Sequence, residues 1–331
     1  MGRPSEDELI AAYFAPLAGP SAFALRDDAA FLPQRPGHET VVTKDMLVAG
    51  VHFFERDPPG PIARKALRVN LSDLAAKGAE PLGFLLGLAL PGNWTEPWLK
   101  GFAEGLGGDA AVYNCPLLGG DTVRTPGPLT ISITAFGAVP AGQMVPRTGA
   151  KPGDRLYVSG TIGDSSLGLK LRLAGTRKPD WAASLAQLER AYLVERYLLP
   201  QPRLRLMEAL RAHAHASMDV SDGLAGDLAK MLRLAGLTAE VSAAGVPLSE
   251  VAQKALAHSP ALVETILTGG DDYEIVCAVP PSRCAAFESD AKVAGVPVGA
   301  IGTAVPGDAP PVFRDREGRA LTLARRSFQH F

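Results

Sequence analysis

The stretch IARKALRVNLSDLAAKGAEPLGFLLGLAL, residues 62–90, decides the fold of this chain. Up to Gly78 its apolar residues recur at helical spacing, and the glycine itself is a signal that ends a helix. From Pro81 onward the sequence is continuously apolar, which is typical of a strand buried on both faces. A helix that leads directly into such a strand predicts an α/β or α+β protein.

Helix and strand patterns alternate on both sides of this stretch. Strands are predicted for TVVTKDMLV (40–48) and LTISITAFGAV (129–139), and a helix is predicted for residues 95–113. The N-terminal segment also has helical spacing, with Ser5 as its N-cap. The second half contains predicted helices near 163–173, 182–199, 202–213 and 222–235, and a predicted strand at 216–220.

A turn rich in glycine and proline, at Gly149, Pro152 and Gly153, predicts a domain boundary near residue 150. The expected domains are therefore residues 1–150 and 151–331. The length agrees with this division, because 331 residues that are 47% hydrophobic are enough to bury two cores.

The charge balance limits the partners of the chain. Its net charge is −2, with 21% charged residues and no basic cluster, so we expect neither nucleic acid nor a membrane surface as a partner. No apolar run reaches the roughly 18 residues of a membrane span, and the N-terminus lacks the apolar core of a signal peptide. The three cysteines form no C-x-x-C pair, which predicts reduced thiols in the cytoplasm and no zinc site.

Aspartates recur beside small residues at the edges of apolar segments. Carboxylates that converge repel each other and are stable together when a divalent cation binds them. Mg²⁺ takes oxygen ligands and completes its shell with waters and substrate phosphates, and phosphoryl transfer is the chemistry that most needs it. The aspartates with this pattern are Asp27, Asp28, Asp45, Asp73, Asp121, Asp219, Asp222, Asp271 and Asp272.

Each aspartate also has a purely structural interpretation. Asp222 could cap the helix that follows it. Asp121 and Asp271 both follow Gly-Gly and could be turn residues. Asp73 could lie on the exposed face of its helix.

Other motifs for phosphate binding or catalysis are missing. The sequence has no G-x-x-x-x-G-K-[ST], no kinase H-R-D or D-F-G set, and no G-x-S-x-G. The six histidines show no H-E-x-x-H pattern, and His52 stands out only because it follows Asp45 closely. Asp109 and Asp227 have no support beyond their residue type and are predicted at the surface.

Motifs along nearly the whole chain resemble the thiamine-monophosphate kinase family, within the aminoimidazole-ribonucleotide synthetase-like superfamily. They are DDAAFL, TKDMLVAGVHF, VNLSDLAAKGA, LLGGDT, RTGAKPGD, MDVSDGL and TGGDDYEI. The resemblance implies two α/β domains, with the N-terminal domains pairing through their sheets in a homodimer. It also implies direct transfer of the γ-phosphate of ATP to thiamine monophosphate, with several Mg²⁺ ions and no phosphoenzyme, as the last step of thiamine diphosphate biosynthesis.

The resemblance also implies a role for individual residues. The N-terminal domain would bind ATP and Mg²⁺, and the C-terminal domain would complete the phosphate and thiamine site. The metal positions are Asp28, Thr43, Asp45, Asp73, Asp121, Asp219 and Asp222. The ATP contacts are Gly120, Asp121, Arg147 and Ser221, and the thiamine phosphate contacts are His52, Asp271 and Phe328. No residue acts as a general base, because the acceptor phosphate is already ionised near neutral pH.

Three positions depart from the family pattern. Arg26 stands where the family usually has glycine, and Lys44 stands where it usually has serine or threonine. Asp271 replaces a frequent glutamate. We expect the Lys44 side chain to point away from the metals or to contact a phosphate in place of one ion.

Two other interpretations stay open on the sequence alone. The first is another ATP-using member of the superfamily, of the aminoimidazole-ribonucleotide or selenophosphate synthetase type. The second is a nucleotide-binding homologue without catalytic activity, for which Arg26 and Lys44 are the only support.

Overall fold

The structure, a computed structural model, describes residues 5–324 and 327. The chain divides into two compact units. The first comprises the chain up to Leu74 together with Ala79–Gly142, and the second comprises Ala75–Gly78 and the chain from Gln143 onward. This division lies a few residues before the boundary that the glycine-rich turn predicts, and no sequence pattern indicated that Ala75–Gly78 belongs with the second unit.

The first unit contains a four-stranded sheet in the order β1-β4-β2-β3. The β2 and β3 strands are parallel, whereas β4 is antiparallel to both β1 and β2. The strands are β1 (His38–Val48), β2 (Glu80–Pro91), β3 (Leu117–Thr125) and β4 (Thr130–Pro140). The helical segments are α1 (Glu6–Leu9), a π-helix (Ile10–Phe14), 3₁₀ segments (Ala15–Leu17 and Pro20–Leu25), α2 (Pro59–Ala76) and α3 (Glu96–Val112).

Only one face of this sheet is buried. Ile131 and Ile133 of β4 are at most 1% exposed, and the apolar sides of α2 and α3 are equally buried. The opposite face carries apolar side chains that stay exposed. They are Val42 (58%), Met46 (53%), Leu85 (38%) and Val123 (49%).

The second unit contains a six-stranded sheet in the order β10-β7-β9-β5-β8-β6. Its strands are β5 (Arg155–Ser159), β6 (Ala216–Val220), β7 (Leu237–Ser242), β8 (Glu274–Val279), β9 (Val298–Pro306) and β10 (Val312–Arg314). Its helices are α4 (Asp164–Leu173), α5 (Gln187–Leu198), α6 (Met207–His213), α7 (Leu224–Arg233), α8 (Glu250–His258), α9 (Leu262–Thr268) and α10 (Cys284–Val293). Successive residues of β5 belong to two different core clusters, Leu156 to one and Tyr157 to the other, so both faces of the sheet are covered.

The observed elements confirm the predicted mixture of helices and strands, with three corrections. LLGGDT, predicted as a turn, lies within β3. Asp109, predicted at the surface, is 2% exposed, because it pairs with Arg68 at 2.5 Å. Asp227 is fully buried and pairs with Lys230 at 2.9 Å.

Within the part of the chain that the structure describes, no helix is both long and apolar enough to cross a membrane.

Candidate active site

Two predicted metal positions line one cavity of the first unit. This cavity, of about 370 Å³, is lined by Asp28 and Asp121 together with Asp27, Gly119 and Gly120. We call it the acidic cavity. The two predicted residues thus line the same cavity although they are far apart in the sequence.

A close contact between strands fixes the position of Asp121. The strand β3 carries Asp121 opposite Gly87 of β2. At the preceding residue, Gly120, a Cβ atom would lie 2.0 Å from the carbonyl oxygen of Leu86. Only glycine permits this approach, so Asp121 is a strand residue and the alternative of a turn residue is wrong.

Asp28 reaches the acidic cavity from an irregular segment. It follows the 3₁₀ segment that ends at Leu25, and not a strand as its apolar flanks suggested. Phe23, Ala24 and Leu25 all have left-handed backbone conformations, with φ of 50°, 55° and 57°. Three consecutive non-glycine residues in this region are strained, and such strain is concentrated at functional sites.

The next predicted metal positions lie where β1 faces α2. The Thr43 hydroxyl donates a hydrogen bond to the Asp73 carboxylate. Asp73 is half-buried, so it does not lie on an exposed helix face. Asp45, on the same side of β1 as Thr43, donates its backbone N–H to the Asn70 side chain at 3.1 Å. Asn70 is fully buried. It was not predicted as a site residue, although a polar residue among the apolar positions of this helix could have indicated one.

Neither basic departure from the family pattern occupies these sites. The Lys44 ammonium donates to the Ser132 hydroxyl at 2.7 Å, on the side of β1 opposite Thr43 and Asp45. Lys44 therefore points away from Thr43 and Asp45 only, because its register with Thr134, Leu85 and Gly119 places it on the same face of the sheet as Asp121. Arg26 is exposed and does not line the acidic cavity.

The loop between β1 and α2 fixes the orientation of His52. The Val48 backbone N–H donates to His52 Nδ1 at 3.0 Å. In the neutral ring the proton is therefore on Nε2, so His52 can donate a hydrogen bond to a phosphate oxygen. The Lys65 ammonium, 2% exposed, donates to the His52 carbonyl at 3.0 Å. Lys65 was not predicted as a site residue. The feature that could have indicated it is the presence of a lysine among the apolar residues of a buried helix.

In the second unit, predicted residues meet at one edge of the sheet. The β6 and β8 strands are antiparallel, so the residues after β6 lie beside those before β8. The Asp271 N–H donates to the Ser221 carbonyl at 2.8 Å, and Tyr273 makes the same bond to Val220. Asp219 is buried within β6 itself. The predicted ATP contact Ser221 and the predicted substrate contact Asp271 are therefore neighbours.

The loop that carries Asp271 is strained and is anchored by buried carboxylates. Asp271 and Tyr273 have left-handed conformations, with φ of 72° and 50°. Between them, Asp272 accepts the backbone N–H groups of Gly163 at 2.7 Å and Ser165 at 3.2 Å. Burial raises the pKa of Asp272 well above its ordinary value.

Glu274 anchors the other end of this loop. It is fully buried and bonds to Arg196 at 3.0 Å, to Arg203 at 2.6 Å and to the Ser159 hydroxyl at 2.7 Å. The carboxylate is thus paired with two cations, as a buried charge requires. The sequence signal was the acidic run from Asp271 to Glu274, but Glu274 was not predicted as a site residue.

Asp222 forms an ion pair instead of a helix cap. The N-cap of α7 is Gly223, and the Asp222 carboxylate lies 2.5 Å from the Lys230 ammonium. Lys230 also pairs with Asp227, whose carboxylate accepts the Asp222 N–H at 2.8 Å. In this arrangement Lys230 neutralises the carboxylate that the resemblance assigns to a metal.

Two predicted contacts remain. Arg147 is exposed in the connection between β4 and β5. Phe328 lies outside the described residues.

The donors at these sites fit Mg²⁺ better than a softer metal. In the described residues no three His, Cys, Asp or Glu side chains are grouped closely enough to hold an ion by themselves. The polar side chains that line the acidic cavity nevertheless carry oxygen atoms only, those of Asp27, Asp28, Asp121 and Thr122, and Thr43 contacts Asp73 directly. Mg²⁺ suits such sites because it takes few protein oxygens and keeps waters or phosphates.

The two-unit fold agrees with matches to two family models. Residues 26–139 match the model for "AIR synthase related protein, N-terminal domain". Residues 151–313 match the model for the C-terminal domain of the same family. These matches define the class of the protein, which is a two-domain protein related to AIR synthase.

Individual relatives show which family within this class the chain belongs to. A thiamine-monophosphate kinase from Caulobacter vibrioides is 44% identical over 332 residues, covering 99% of this chain and 91% of that protein. The crystal structure of thiamine-monophosphate kinase from Stenotrophomonas maltophilia K279a is 37% identical, with a TM-score of 0.79, over 90% of this chain and 91% of that one. The chain belongs to the thiamine-monophosphate kinase family.

A further similar structure contains ligands. It is described as "AaThiL complexed with AMPPCP and TMP", with 28% identity and a TM-score of 0.77. The similarity covers 92% of this chain and 91% of that chain.

Proposed function

We propose that this protein phosphorylates thiamine monophosphate with ATP and produces thiamine diphosphate and ADP, the last step of thiamine diphosphate biosynthesis. The observation that carries the proposal is the 44% identity to a thiamine-monophosphate kinase across 99% of the chain. The similar structure with AMPPCP, an ATP analogue, and TMP supports the same pair of substrates.

The reaction needs no general base. A terminal oxygen of thiamine monophosphate attacks the γ-phosphorus of ATP, and the bond from that phosphorus to the β–γ bridging oxygen breaks. Because a phosphate monoester has a second pKa of about 6, the attacking oxygen is already ionised at neutral pH. Positioning and charge neutralisation therefore supply the catalysis.

We assign ATP and metal binding to the N-terminal domain, residues 1–150. Asp28, Asp45, Asp73 and Asp121, with Thr43, would hold Mg²⁺. When bound, Mg²⁺ neutralises phosphate charge. Gly120, which lines the acidic cavity, would contact ATP through its backbone. His52 would donate its Nε2–H to the phosphate of thiamine monophosphate.

The C-terminal domain, residues 151–331, would complete the phosphate and thiamine contacts. Ser221 and Asp271, which are hydrogen-bonded neighbours, would contact ATP and the substrate. Asp219 and Asp222 would contribute to metal binding, and Asp222 would then exchange its Lys230 partner for an ion. Phe328 and Arg147, which precedes this domain by a few residues, complete the assigned contacts.

A homodimer in the cytoplasm fits the remaining observations. The exposed apolar side chains Val42, Met46, Leu85 and Val123 lie on one face of the first sheet, which a second copy could cover. The three cysteines are free, as expected for a reducing compartment.

One alternative in the superfamily fits the structure less well. A selenophosphate synthetase type of reaction would need a reactive thiol in the N-terminal half. Cys115 is the only cysteine there, and burial raises the pKa of its thiol to about 12. A buried thiol of this kind is unreactive.

The test is to incubate the purified protein with Mg-ATP and thiamine monophosphate and to quantify thiamine diphosphate and ADP. We expect equal amounts of the two products. Thiamine without its phosphate is the matched control acceptor and should give no product. ATP binding without any thiamine diphosphate would instead favour the non-catalytic homologue.

A further inference from the structure

A lysine of the second unit occupies one of the proposed metal positions. The Lys230 ammonium lies 2.5 Å from the Asp222 carboxylate and 2.9 Å from the Asp227 carboxylate. Asp227 lies one turn before Lys230 on α7, whereas Asp222 lies just before Gly223, the N-cap of that helix. A monovalent cation therefore already stands where the proposed function places a divalent one.

The charge of this lysine makes it a competitor of the ion. Burial alone would lower the pKa of Lys230, but the hydrogen bond to Asp222 and the charge of Asp227 raise this pKa overall. The ammonium is therefore charged at neutral pH. Mg²⁺ takes carboxylate oxygens as ligands, and two cations at one carboxylate repel each other. An ion can consequently bind Asp222 only after the ammonium has left it.

The two carboxylates differ in how easily they can change partner. Asp227 is fully buried and also accepts the Asp222 backbone N–H at 2.8 Å, so the fold fixes its position. The side chains of Asp222 and Lys230 are both partly exposed, so solvent and ions reach the contact between them. The lysine side chain is flexible and can leave Asp222 while it keeps Asp227. Exchange of the Asp222 partner therefore needs only a side-chain movement.

The nucleotide supplies the charge that this exchange needs. Ser221, a proposed ATP contact, directly precedes Asp222. Phosphates beside Ser221 attract a divalent ion more strongly than a monovalent one, and they offer the released ammonium a new anionic partner. Without phosphates the ion would have little support, because in the described part of the chain no third acid, histidine or cysteine is grouped closely enough with these carboxylates to hold it.

From these contacts we infer that Lys230 is a positioning residue that holds Asp222 until ATP binds, so that a divalent ion binds Asp222 together with the nucleotide and not before it. Lys230 acts through Asp222 and thereby sets the concentration of Mg²⁺ at which this position fills. The inference rests on the proposed function, because it takes Asp222 to be a metal position.

The first test measures binding of Mn²⁺, which substitutes for Mg²⁺ and is followed by electron paramagnetic resonance. Without nucleotide, Lys230→Gln should bind Mn²⁺ about threefold or more tightly than the wild type, because glutamine removes the charge and can still donate to Asp227. Adding Asp222→Asn to this variant should abolish the gain. Lys230→Arg keeps the charge and should bind Mn²⁺ as the wild type does. Lys254→Gln is the matched control, since the exposed pair of Lys254 with Glu189 involves no proposed metal position.

A second measurement leaves Lys230 in place and decides alone if Lys230→Gln does not fold. Without nucleotide, Asp222→Asn should leave Mn²⁺ binding unchanged, because Lys230 already holds Asp222. With AMPPCP present, the same substitution should lower the number of bound Mn²⁺ ions.

Three results would each overturn the inference. They are equal Mn²⁺ binding by the wild type and a folded Lys230→Gln, a gain that survives Asp222→Asn, and a loss of Mn²⁺ binding in Asp222→Asn without nucleotide. If the wild type makes no thiamine diphosphate, the proposed function fails, while these titrations still decide whether Lys230 blocks Asp222.

Discussion

At the scale of single residues, the proposed chemistry depends on carboxylates whose neighbours decide their role. Asp121 is displayed at the acidic cavity because the residue before it is glycine. Asp109 and Asp227 have the same charge but are buried beside Arg68 and Lys230. The sequence could not separate these cases, because the cation that neutralises each aspartate is known only from the fold.

The first prediction concerns Asp73 and Asp121. Asp73→Asn and Asp121→Asn should each lower kcat by at least about 100-fold, since each removes a carboxylate proposed to hold Mg²⁺, and Mg²⁺ would neutralise the phosphates in the transition state. Asp7→Asn, an exposed acid of the same unit, is the control and should retain activity. The measurement is steady-state kinetics, with circular dichroism to verify folding. Near-normal kcat in a folded variant would remove that residue from the metal site.

The second prediction concerns the buried carboxyl of Asp272. Its pKa is raised in the folded protein, whereas in the unfolded chain it has the ordinary value of about 4. Between pH 4 and the folded pKa, Asp272 therefore binds more protons in the folded state than in the unfolded state. The free energy of unfolding consequently falls as the pH rises through this interval.

Asp272→Asn should remove this dependence. Between pH 4 and pH 8 the wild type should lose more free energy of unfolding than the variant does, as measured by denaturant titration at each pH. Asp308→Asn, an exposed acid of the same unit, should follow the wild type. Parallel curves for the wild type and Asp272→Asn would show that Asp272 ionises normally.

At the scale of elements, the spacing of apolar residues predicted most of the helices and strands. The helix and strand in residues 62–90 were predicted, and α2 and β2 confirm them. The strand β3 was missed because Gly-Gly-Asp is typical of a turn. In the structure the glycines instead allow β3 to pair closely with β2. This is a contact between distant segments, which the local sequence does not reveal.

The third prediction follows from this pairing. Gly120→Ala should destabilise the protein by about 1–3 kcal/mol, because the new Cβ would collide with the Leu86 backbone. Gly108→Ala is the matched control, since its Cβ would meet only the Arg64 side chain at 3.6 Å. Alanine in the middle of α3 should be neutral or stabilise by up to about 1 kcal/mol. Equal thermal unfolding of the two variants would contradict the close contact.

At the scale of the whole molecule, the sequence predicted more about class than about geometry. Motifs spread along the chain indicated two α/β domains of one family, and the family matches agree with this. The contacts among site residues could not be predicted. The Thr43–Asp73 bond and the cavity that Asp28 and Asp121 both line involve distant parts of the chain.

The fourth prediction concerns the proposed homodimer. Val42→Glu places a charge on the exposed apolar face of the first sheet and should shift the protein toward a monomer in light scattering. Val112→Glu, at a position on α3 that is 74% exposed, should leave the oligomeric state unchanged. A wild type that is monomeric at micromolar concentration would show that the sheet face is not a dimer interface.

The central claim is that this chain transfers the γ-phosphoryl group of ATP directly to thiamine monophosphate. Its most direct test supplies ATP labelled in the γ-phosphate, with Mg²⁺ and thiamine monophosphate, and locates the label after one turnover. We expect to find the label in thiamine diphosphate and none of it on the protein. Label bound covalently to the protein, or label found only in inorganic phosphate, would contradict it.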